Sequence, residues 1–311
     1  MSECIAAVEN VFAMQGRKET NSPAVLGIPL EGGGFHIKAA AADIDGQFFA
    51  AKINANFPGN ATRFGLPTIQ GILVLFDAVH GSPLAVMDSG ELTAIRTAAA
   101  TAVATKYLAR RDASTVTICG CGLQARSQLR ALMEVRPVTR VYAYDRDSVR
   151  AEEFVAFARD DLDLSVSAMS DLRDATRQSD ITVTCTTARK HFLGREHLSP
   201  GAFVAAVGAD NPEKQEIDPA LLASSTLVVD VMEQCALIGD LHHALEAGVM
   251  ERGDVYAELG EIVGGLRAGR TTEDEVIVFD STGTALQDVA SASLVYRKAL
   301  KAGRGQVVDF A

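Results

Sequence analysis

The chain has 311 residues, of which 48% are hydrophobic and 22% charged, and its formal net charge is −11. That length exceeds one ordinary core, so two domains are expected, and the composition is that of a soluble globular protein. An acidic surface repels phosphate backbones, which argues against nucleic acid and anionic membranes as partners, and no apolar run reaches the roughly 18 residues a membrane span needs.

The opening "MSECIAAVENVFAMQG" reads as an amphipathic helix with no basic leader segment, not as a signal peptide. The five cysteines, Cys4, Cys119, Cys121, Cys185 and Cys235, are odd in number and scattered, and three lie in apolar runs. That pattern suits buried thiols in a reducing cytoplasm rather than a disulfide framework. After the first helix, "AVLGIPLEGGGFHIKAAAADIDGQFFAAKINANFPGN" predicts strands separated by turns at Glu31–Gly34 and Asp43–Gly46. "TIQGILVLFDAVHGSPLAVMDS" predicts a β-hairpin turning near His80–Pro83. The alanine- and threonine-rich "GELTAIRTAAATAVATKYLARR" predicts a helix that packs closely on a neighbour, with Asp88 as its N-cap and Glu91 three positions on.

From Ser114 the pattern changes. "TVTICG", "RVYAYD", "SVSAM", "DITVTCTT", "AFVAAVG" and "TLVVDVM" read as strands, and helical stretches separate the earlier ones. Buried β-branched strands alternating with helices imply βαβ units and a parallel sheet, and the chain closes on a helix after "VIVFDSTG".

Gly120-Cys121-Gly122-Leu123-Gln124-Ala125 is a G-x-G-x-x-A run between a strand and a helix. Gly120 permits the tight turn, Gly122 lets the backbone approach a pyrophosphate, and Ala125 allows close helix–strand packing. The helix start at Leu123 and Gln124 offers free N–H groups to phosphate. Asp145 ends the next strand, 25 positions after Gly120, near the spacing needed to bind a ribose. A carboxylate there accepts both ribose hydroxyls and repels a 2′-phosphate, so NAD(H) is expected over NADP(H). The neighbouring Arg146 leaves NADP(H) open.

Lys38, Lys52 and Arg96 lie among small or apolar residues rather than in charge-rich stretches. A lysine facing inward on a strand is costly unless paired, whereas one facing outward is simply solvated. Arg96 shares a helix face with Ala100 and Val103, which suits an anion clamp. Asp210 follows the apolar strand "AFVAAVG" at the sheet's C-terminal edge, where α/β sheets bind ligands; by itself it reads equally as a turn residue before Pro212. His242 and His243 are adjacent, so on a helix they diverge by about 100°, and no metal site is expected.

Taken together, "KINANFPGN", "MDSGELTAIRTAAATAVATKYLAR", "ICGCGLQARSQL", "VGADNPEKQEID" and "FDSTGTALQDVA" resemble the ornithine cyclodeaminase/mu-crystallin family over nearly the whole chain. The resemblance implies an α/β fold with a Rossmann-type, doubly wound NAD(P)-binding domain over 113–287. It also implies an α+β substrate-binding and dimerising domain made of 1–112 with 288–311. It assigns Lys52 and Arg96 to the substrate carboxylate and Asp210, with Lys52, to catalysis, Asp210 moving a proton at the substrate nitrogen. It places Ser281 and Gly283, in "STG", beside the nicotinamide and adds Thr186 and Thr187 to the cofactor set. Many members carry an arginine just before the first strand where Ala24 stands here. One reading is that Lys38 replaces that cation.

The chemistry so implied is hydride transfer at a carbon bearing nitrogen, on a small amino acid or cyclic imine carboxylate: an imine reductase or amino-acid dehydrogenase. Ornithine cyclodeaminase is the alternative, and a non-catalytic nucleotide-binding protein a remote one. A cytoplasmic homodimer through the N-terminal domain is the implied assembly.

Overall fold

The computed structural model describes residues 1–21 and 23–309. Helix α1 (Ser2–Gly16) leads into a five-stranded antiparallel meander, β1 (Ala24–Leu30), β2 (Gly33–Asp43), β3 (Gln47–Asn56), β4 (Ile69–Asp77) and β5 (Pro83–Asp88), with a short helix α2 (Asn60–Phe64) before β4. The two predicted turns and the hairpin fall where expected: β1 and β2 are joined by Glu31-Gly32, with Gly32 at φ +81°, and β4 and β5 by residues 78–82. Helix α3 (Ser89–Leu108) starts at Asp88, whose carboxylate accepts the Gly90 N–H at 2.8 Å. Its Ala98, Ala99, Ala100, Ala102 and Ala104 are fully buried. Without bulky side chains it packs tightly against α1 and against the first helix of the next unit.

That unit runs β6 (Thr115–Cys119), α4 (Leu123–Met133), β7 (Arg140–Tyr144), α5 (Ser148–Leu162), β8 (Ser165–Ala168), α6 (Leu172–Arg177) and β9 (Ile181–Thr184). It continues through β10 (Arg189–Leu193), β11 (Phe203–Ala206), β12 (Gln215–Ile217), α7 (Pro219–Ala223), β13 (Thr226–Val229), α8 (Met232–Ile238), α9 (Asp240–Glu246), β14 (Ala257–Glu258), α10 (Leu259–Val263) and β15 (Ile277–Asp280). Eight of these strands form an all-parallel sheet in the order β14-β13-β15-β11-β9-β6-β7-β8. The chain order reverses between β6 and β9, the switch point at which doubly wound sheets bind ligands outside their carboxyl ends. The pattern did not predict β10 and β12, which pair as a separate two-stranded sheet, nor the short helices α8 to α10. These elements are too short to set up a readable hydrophobic period.

The last helix, α11 (Ala285–Lys301), leaves the parallel sheet and packs on α1, α3, β2 and β3. Its Leu286, Val289, Ala290 and Ala292 share a core with Ala40, Ala42, Ala50, Leu73 and Leu75 of the meander.

The meander's register sorts its side chains onto two faces, because residues directly opposite share a face and neighbours along a strand alternate. One lateral row is Val25, Lys38, Lys52, Leu73 and Met87, and its neighbour on the same face is Gly27, His36, Asn54 and Gly71. The opposite face carries the row Leu26, Ile37, Ile53 and Ile72 and the row Ala24, Ala39, Ala51, Val74 and Val86. The inner face is therefore apolar beneath α11 and polar toward the parallel-sheet domain.

Candidate active site at the junction of the two sheets

Three buried cations meet one buried carboxylate at this junction. Lys52 is 3% exposed, and its Nζ lies 3.0 Å from Asp288 Oδ1 and 2.9 Å from Oδ2. Arg96, from the middle of α3, donates its Nε to Asp288 Oδ1 at 2.9 Å and an Nη to Gln287 Oε1 at 2.9 Å. Lys38, directly opposite Lys52 in the β2–β3 ladder, sends its ammonium to the carbonyls of Thr282 and Gly283, both at 2.8 Å. Like charges paired across a ladder repel, so the pair needs acceptors on every side. Counting Asp288 and the nearby buried Asp230, the cluster still carries one surplus positive charge when all three cations are protonated.

The titrations follow from that crowding. Burial pushes the Lys52 ammonium down, the Arg96 guanidinium adds to the effect, and Asp288 only partly offsets them, leaving Lys52 at about 7. Lys38 is lowered by the same two causes. For Asp288, burial alone would raise the carboxyl, but Arg96 and Lys52 outweigh it and hold it below its ordinary range.

The turn before α11 closes the cluster. Gly283 has φ +77°, and a Cβ there would stand 2.4 Å from an Nη of Arg96, so only glycine leaves the guanidinium in place. Asp230, at the carboxyl end of β13 and fully buried, fixes this turn: its carboxylate accepts from Gly283 N at 2.7 Å, Thr282 Oγ1 at 3.0 Å and Ser281 Oγ at 3.2 Å. Gln234 of α8 adds bonds to Thr282 Oγ1 and to the Gly283 carbonyl. Asp210, after β11, is half exposed. Its Oδ1 takes the Lys214 ammonium at 2.7 Å, and its Oδ2 has no partner among the described residues. Loss of hydration would raise this carboxyl, but Lys214 and then the fields of Lys38 and His36 outweigh it, so it lies below its ordinary value. Lys38 and His36 both stand on β2, so Asp210 lies within electrostatic reach of that strand.

The glycine loop stands at the switch point. Gly120 has φ +93°, and a Cβ on it would meet Thr186 Cγ2 at 2.8 Å and the Cys185 carbonyl at 2.9 Å, so the fold itself demands glycine. Gly122 differs: its φ is −81°, and a Cβ would meet nothing within 4 Å. No protein contact requires glycine there, whereas a pyrophosphate lying against the backbone would. The N-terminus of α4 has no side-chain cap, so the N–H groups at Leu123, Gln124 and Ala125 face that space. Asp145 accepts the Cys121 N–H at 2.8 Å on one oxygen and the Asp147 N–H at 2.9 Å on the other, leaving each oxygen a lone pair for a ribose hydroxyl. Arg146, Leu123 and Thr187 are exposed. Thr186 donates its N–H to Glu216 Oε1 at 2.7 Å, and the same buried glutamate takes Thr184 Oγ1 and Gly208 N, tying the ends of β9 and β11 together. These residues fit a dinucleotide.

Sequence reading placed Lys38, Lys52, Arg96, Ser281 and Gly283 in functional roles, and the structure brings them together. It does not bring in Ala24. The register puts Ala24 on the face opposite Lys38, so Lys38 does not fill an arginine's place by simple substitution. The divergence expected of His242 and His243 is absent: their rings stand 5.1 Å apart, and their ligand atoms with those of Glu246 lie within 4.8 Å of one another. His243 Nε2 sits 2.8 Å from the Lys214 carbonyl and so braces the loop that carries Asp210. Asp288, Gln287, Asp230, Gln234 and Glu216 were missed. The signal that singles out the lysines, a charge among small apolar residues, is also present at Asp288 in "ALQDVASAS" and at Asp230 in "LVVDVM".

A surface depression of about 540 Å³ lined by Ile5, Glu9, Lys106, Arg111 and Arg136 contains none of these residues. Among the described residues, no helix is long and apolar enough to cross a membrane.

A profile of the ornithine cyclodeaminase/mu-crystallin family matches residues 1–303. The chain belongs to this family. Among solved members, an archaeal alanine dehydrogenase dimer with bound NAD superposes with a TM-score of 0.94 at 37% identity, covering 100% of this chain and 95% of that one. The Thermococcus litoralis Δ1-pyrroline-2-carboxylate reductase, in complex with NADH and L-proline, gives 0.93 at 33% identity, over 99% and 96% of the two chains. The Paracoccus denitrificans iminosuccinate reductase in complex with NAD+ gives 0.89 at 31%, over 99% and 95%. This member of the family thus shares both the parallel-sheet domain and the meander with its solved relatives.

Proposed function

We propose that the protein is an NAD(H)-dependent oxidoreductase that interconverts the imine and amine forms of a small α-carboxylate, in the manner of an imine reductase or amino-acid dehydrogenase. The observation that carries this reading is the buried Lys38, Lys52 and Arg96 cluster, facing Asp210 and continuous with the Ser281–Gly283 turn. Support also comes from the relatives, whose names describe reductases and a dehydrogenase and whose structures hold NAD or NADH.

The bound nicotinamide would give or take a hydride at the substrate's α-carbon. Lys52 and Arg96 hold the substrate carboxylate, the guanidinium through the N–H groups not spent on Asp288 and Gln287. Lys38, beside them, keeps one N–H that it does not give to the turn. Asp210, kept ionised by Lys214, presents Oδ2 to the substrate nitrogen. In the reducing direction it stabilises the protonated C=N, and in the oxidising direction it takes the amine's proton. Gly120, Gly122, Leu123, Gln124 and Ala125 hold the pyrophosphate, with Thr186 and Thr187 at the neighbouring strand end. Asp145 favours NAD(H) over NADP(H) through the ribose. A second copy docks on the outer face of the meander, and the five free thiols suit a reducing cytoplasm.

The reading is tested by incubating the purified protein with NADH and either Δ1-pyrroline-2-carboxylate, Δ1-piperideine-2-carboxylate or pyruvate plus ammonia, following loss of NADH absorbance. Substrate-dependent oxidation is expected with at least one. Asp210→Asn is expected to cut turnover roughly 10²-fold, the scale of a general acid–base contribution, while leaving NAD affinity within twofold. An Asp210→Asn enzyme with more than half the parent rate overturns the assignment.

A further inference from the structure

The polar rows of the meander extend beyond what one carboxylate needs. Next to the Lys38–Lys52 row lies Gly27, His36, Asn54 and Gly71. The two end positions carry no side chain. A Cβ on Gly27 would meet nothing within 4 Å, so the space above it is open, and one on Gly71 would collide with Asn54 Oδ1 at 2.2 Å. Between the glycines the sheet floor is a trough whose side chains are His36 and Asn54.

The two side chains on the trough's floor each carry a donor. Ser89 Oγ donates to Asn54 Oδ1 at 2.7 Å, which turns the Asn54 Nδ2 amide the other way, and that amide has no acceptor among the described residues. His36 is half-buried, also without a partner among the described residues, and its field is felt at Asp210. The third N–H of Lys38 is unspent, since two go to Thr282 and Gly283. Residues two apart on a strand are separated by about 6.6 Å, so this second set of donors lies one step along the sheet from Lys52 and Arg96.

Charge leads to the same place. With all three cations protonated, the cluster keeps one positive charge beyond Asp288 and Asp230, and burying an unpaired cation is unfavourable. A substrate with one carboxylate and a protonated imine is neutral overall and leaves the surplus untouched. A second carboxylate on the substrate reduces it.

We propose that the trough around His36 is a second anion subsite, and that the preferred substrates are short α-imino dicarboxylates whose distal carboxylate is held by His36, Asn54 Nδ2 and Lys38. This rests on the imine/amine reading above and narrows its substrate class. Asp210 stays free for the nitrogen, because the two carboxylates are anchored on β2, β3 and α3.

The test uses the full-length protein saturated with NAD and measures binding of L-aspartate and L-alanine, the amines such reductions would yield, by calorimetry. L-Aspartate is expected to bind at least tenfold more tightly. His36→Leu is expected to reduce that ratio at least tenfold, and His36→Gln, which keeps a donor, to reduce it less. Far-ultraviolet circular dichroism checks that both variants fold. In parallel, NADH oxidation with oxaloacetate plus ammonia is expected to exceed that with pyruvate plus ammonia by at least tenfold in kcat/KM. A parent that binds L-alanine as well as L-aspartate, or neither, overturns the subsite, as does a His36→Leu protein whose ratio moves less than twofold. Tight, His36-dependent binding of L-aspartate without turnover of any imine would support the subsite and overturn the oxidoreductase reading alone.

Discussion

A single carboxylate, Asp288, decides whether two of the three cations can be buried at all. It is 1% exposed, its Oδ1 accepts hydrogen bonds from Lys52 and Arg96, and its Oδ2 lies within ion-pair distance of Lys52. Removing one partner of a buried ionic cluster leaves uncompensated charge, which typically destabilises by about 3–5 kcal/mol. Asp288→Asn is therefore expected to lower the unfolding free energy from urea denaturation by an amount in that range, an effect that an isosteric change on the surface would not produce. A loss under 1 kcal/mol, roughly the worth of an exposed pair, would mean that the cluster is solvated. The same crowding sets a pH dependence. Lys52 has its pKa lowered to about 7, so its ammonium is present below that pH and is lost as pH rises through it. A carboxylate substrate then loses one of its cations, and kcat/KM, which reports the free enzyme, should fall above about pH 7. Lys52→Arg keeps its charge throughout, and its pH–rate profile should lose this limb. An unchanged limb in Lys52→Arg would assign the titration to another group.

At the scale of the elements, the two glycines of the cofactor loop separate fold from function. Gly120 is demanded by a positive φ and by the approach of Thr186 and Cys185, whereas Gly122 is demanded by neither. Gly120→Ala should therefore cost stability, seen as a Tm several degrees lower, along with NAD binding. Gly122→Val should leave Tm within about a degree and abolish NAD binding in calorimetry. Equal NAD affinity in Gly122→Val and parent would remove the pyrophosphate from this loop. Much of this layer was readable in the sequence, since β-branched runs, G-x-G-x-x-A and the Asp145 spacing each carry a local signature. The cation cluster was half readable. Lys38, Lys52 and Arg96 stood out against apolar neighbours, but their partner Asp288 lies 192 positions from Arg96, and only the packing of α11 back onto the meander joins them. Short elements such as β10, β12 and β14 left no period to read, and their pairings are long-range. The resemblance linked Lys38 to the arginine that relatives carry where Ala24 stands, but Ala24 pairs with Ala39, and a one-residue offset turns a side chain to the other side of the sheet.

For the whole molecule, the outer face of the meander is an apolar surface that stays exposed among the described residues. All of β1 is exposed, and across the strands Leu26 and Ile72 keep 55% and 46% of their accessibility, with Val86 at 57%. These residues share a face with Ile37 and Ile53, so they form a contiguous apolar patch rather than scattered surface residues, and such patches mark interaction sites. None of them belongs to the core beneath α11, which is built from the other face. Burying each aliphatic side chain against a second copy would contribute about 1.5–3 kcal/mol, so the row together with its symmetry mate is enough to drive association. Leu26→Glu with Ile72→Glu places two charges in the middle of this face without touching the inner one. Analytical ultracentrifugation should show the parent as a dimer at micromolar concentration and the double variant as a monomer that keeps its circular dichroism. A parent that sediments as a monomer, or a double variant that stays dimeric, would move the interface elsewhere. The site would register the difference. Lys38 and Lys52 sit on the inner face of the same two strands whose outer residues the partner would cover, so a monomeric variant should also bind a carboxylate substrate more weakly, with a KM raised severalfold, because the sheet that aligns the two lysines is braced from one side only.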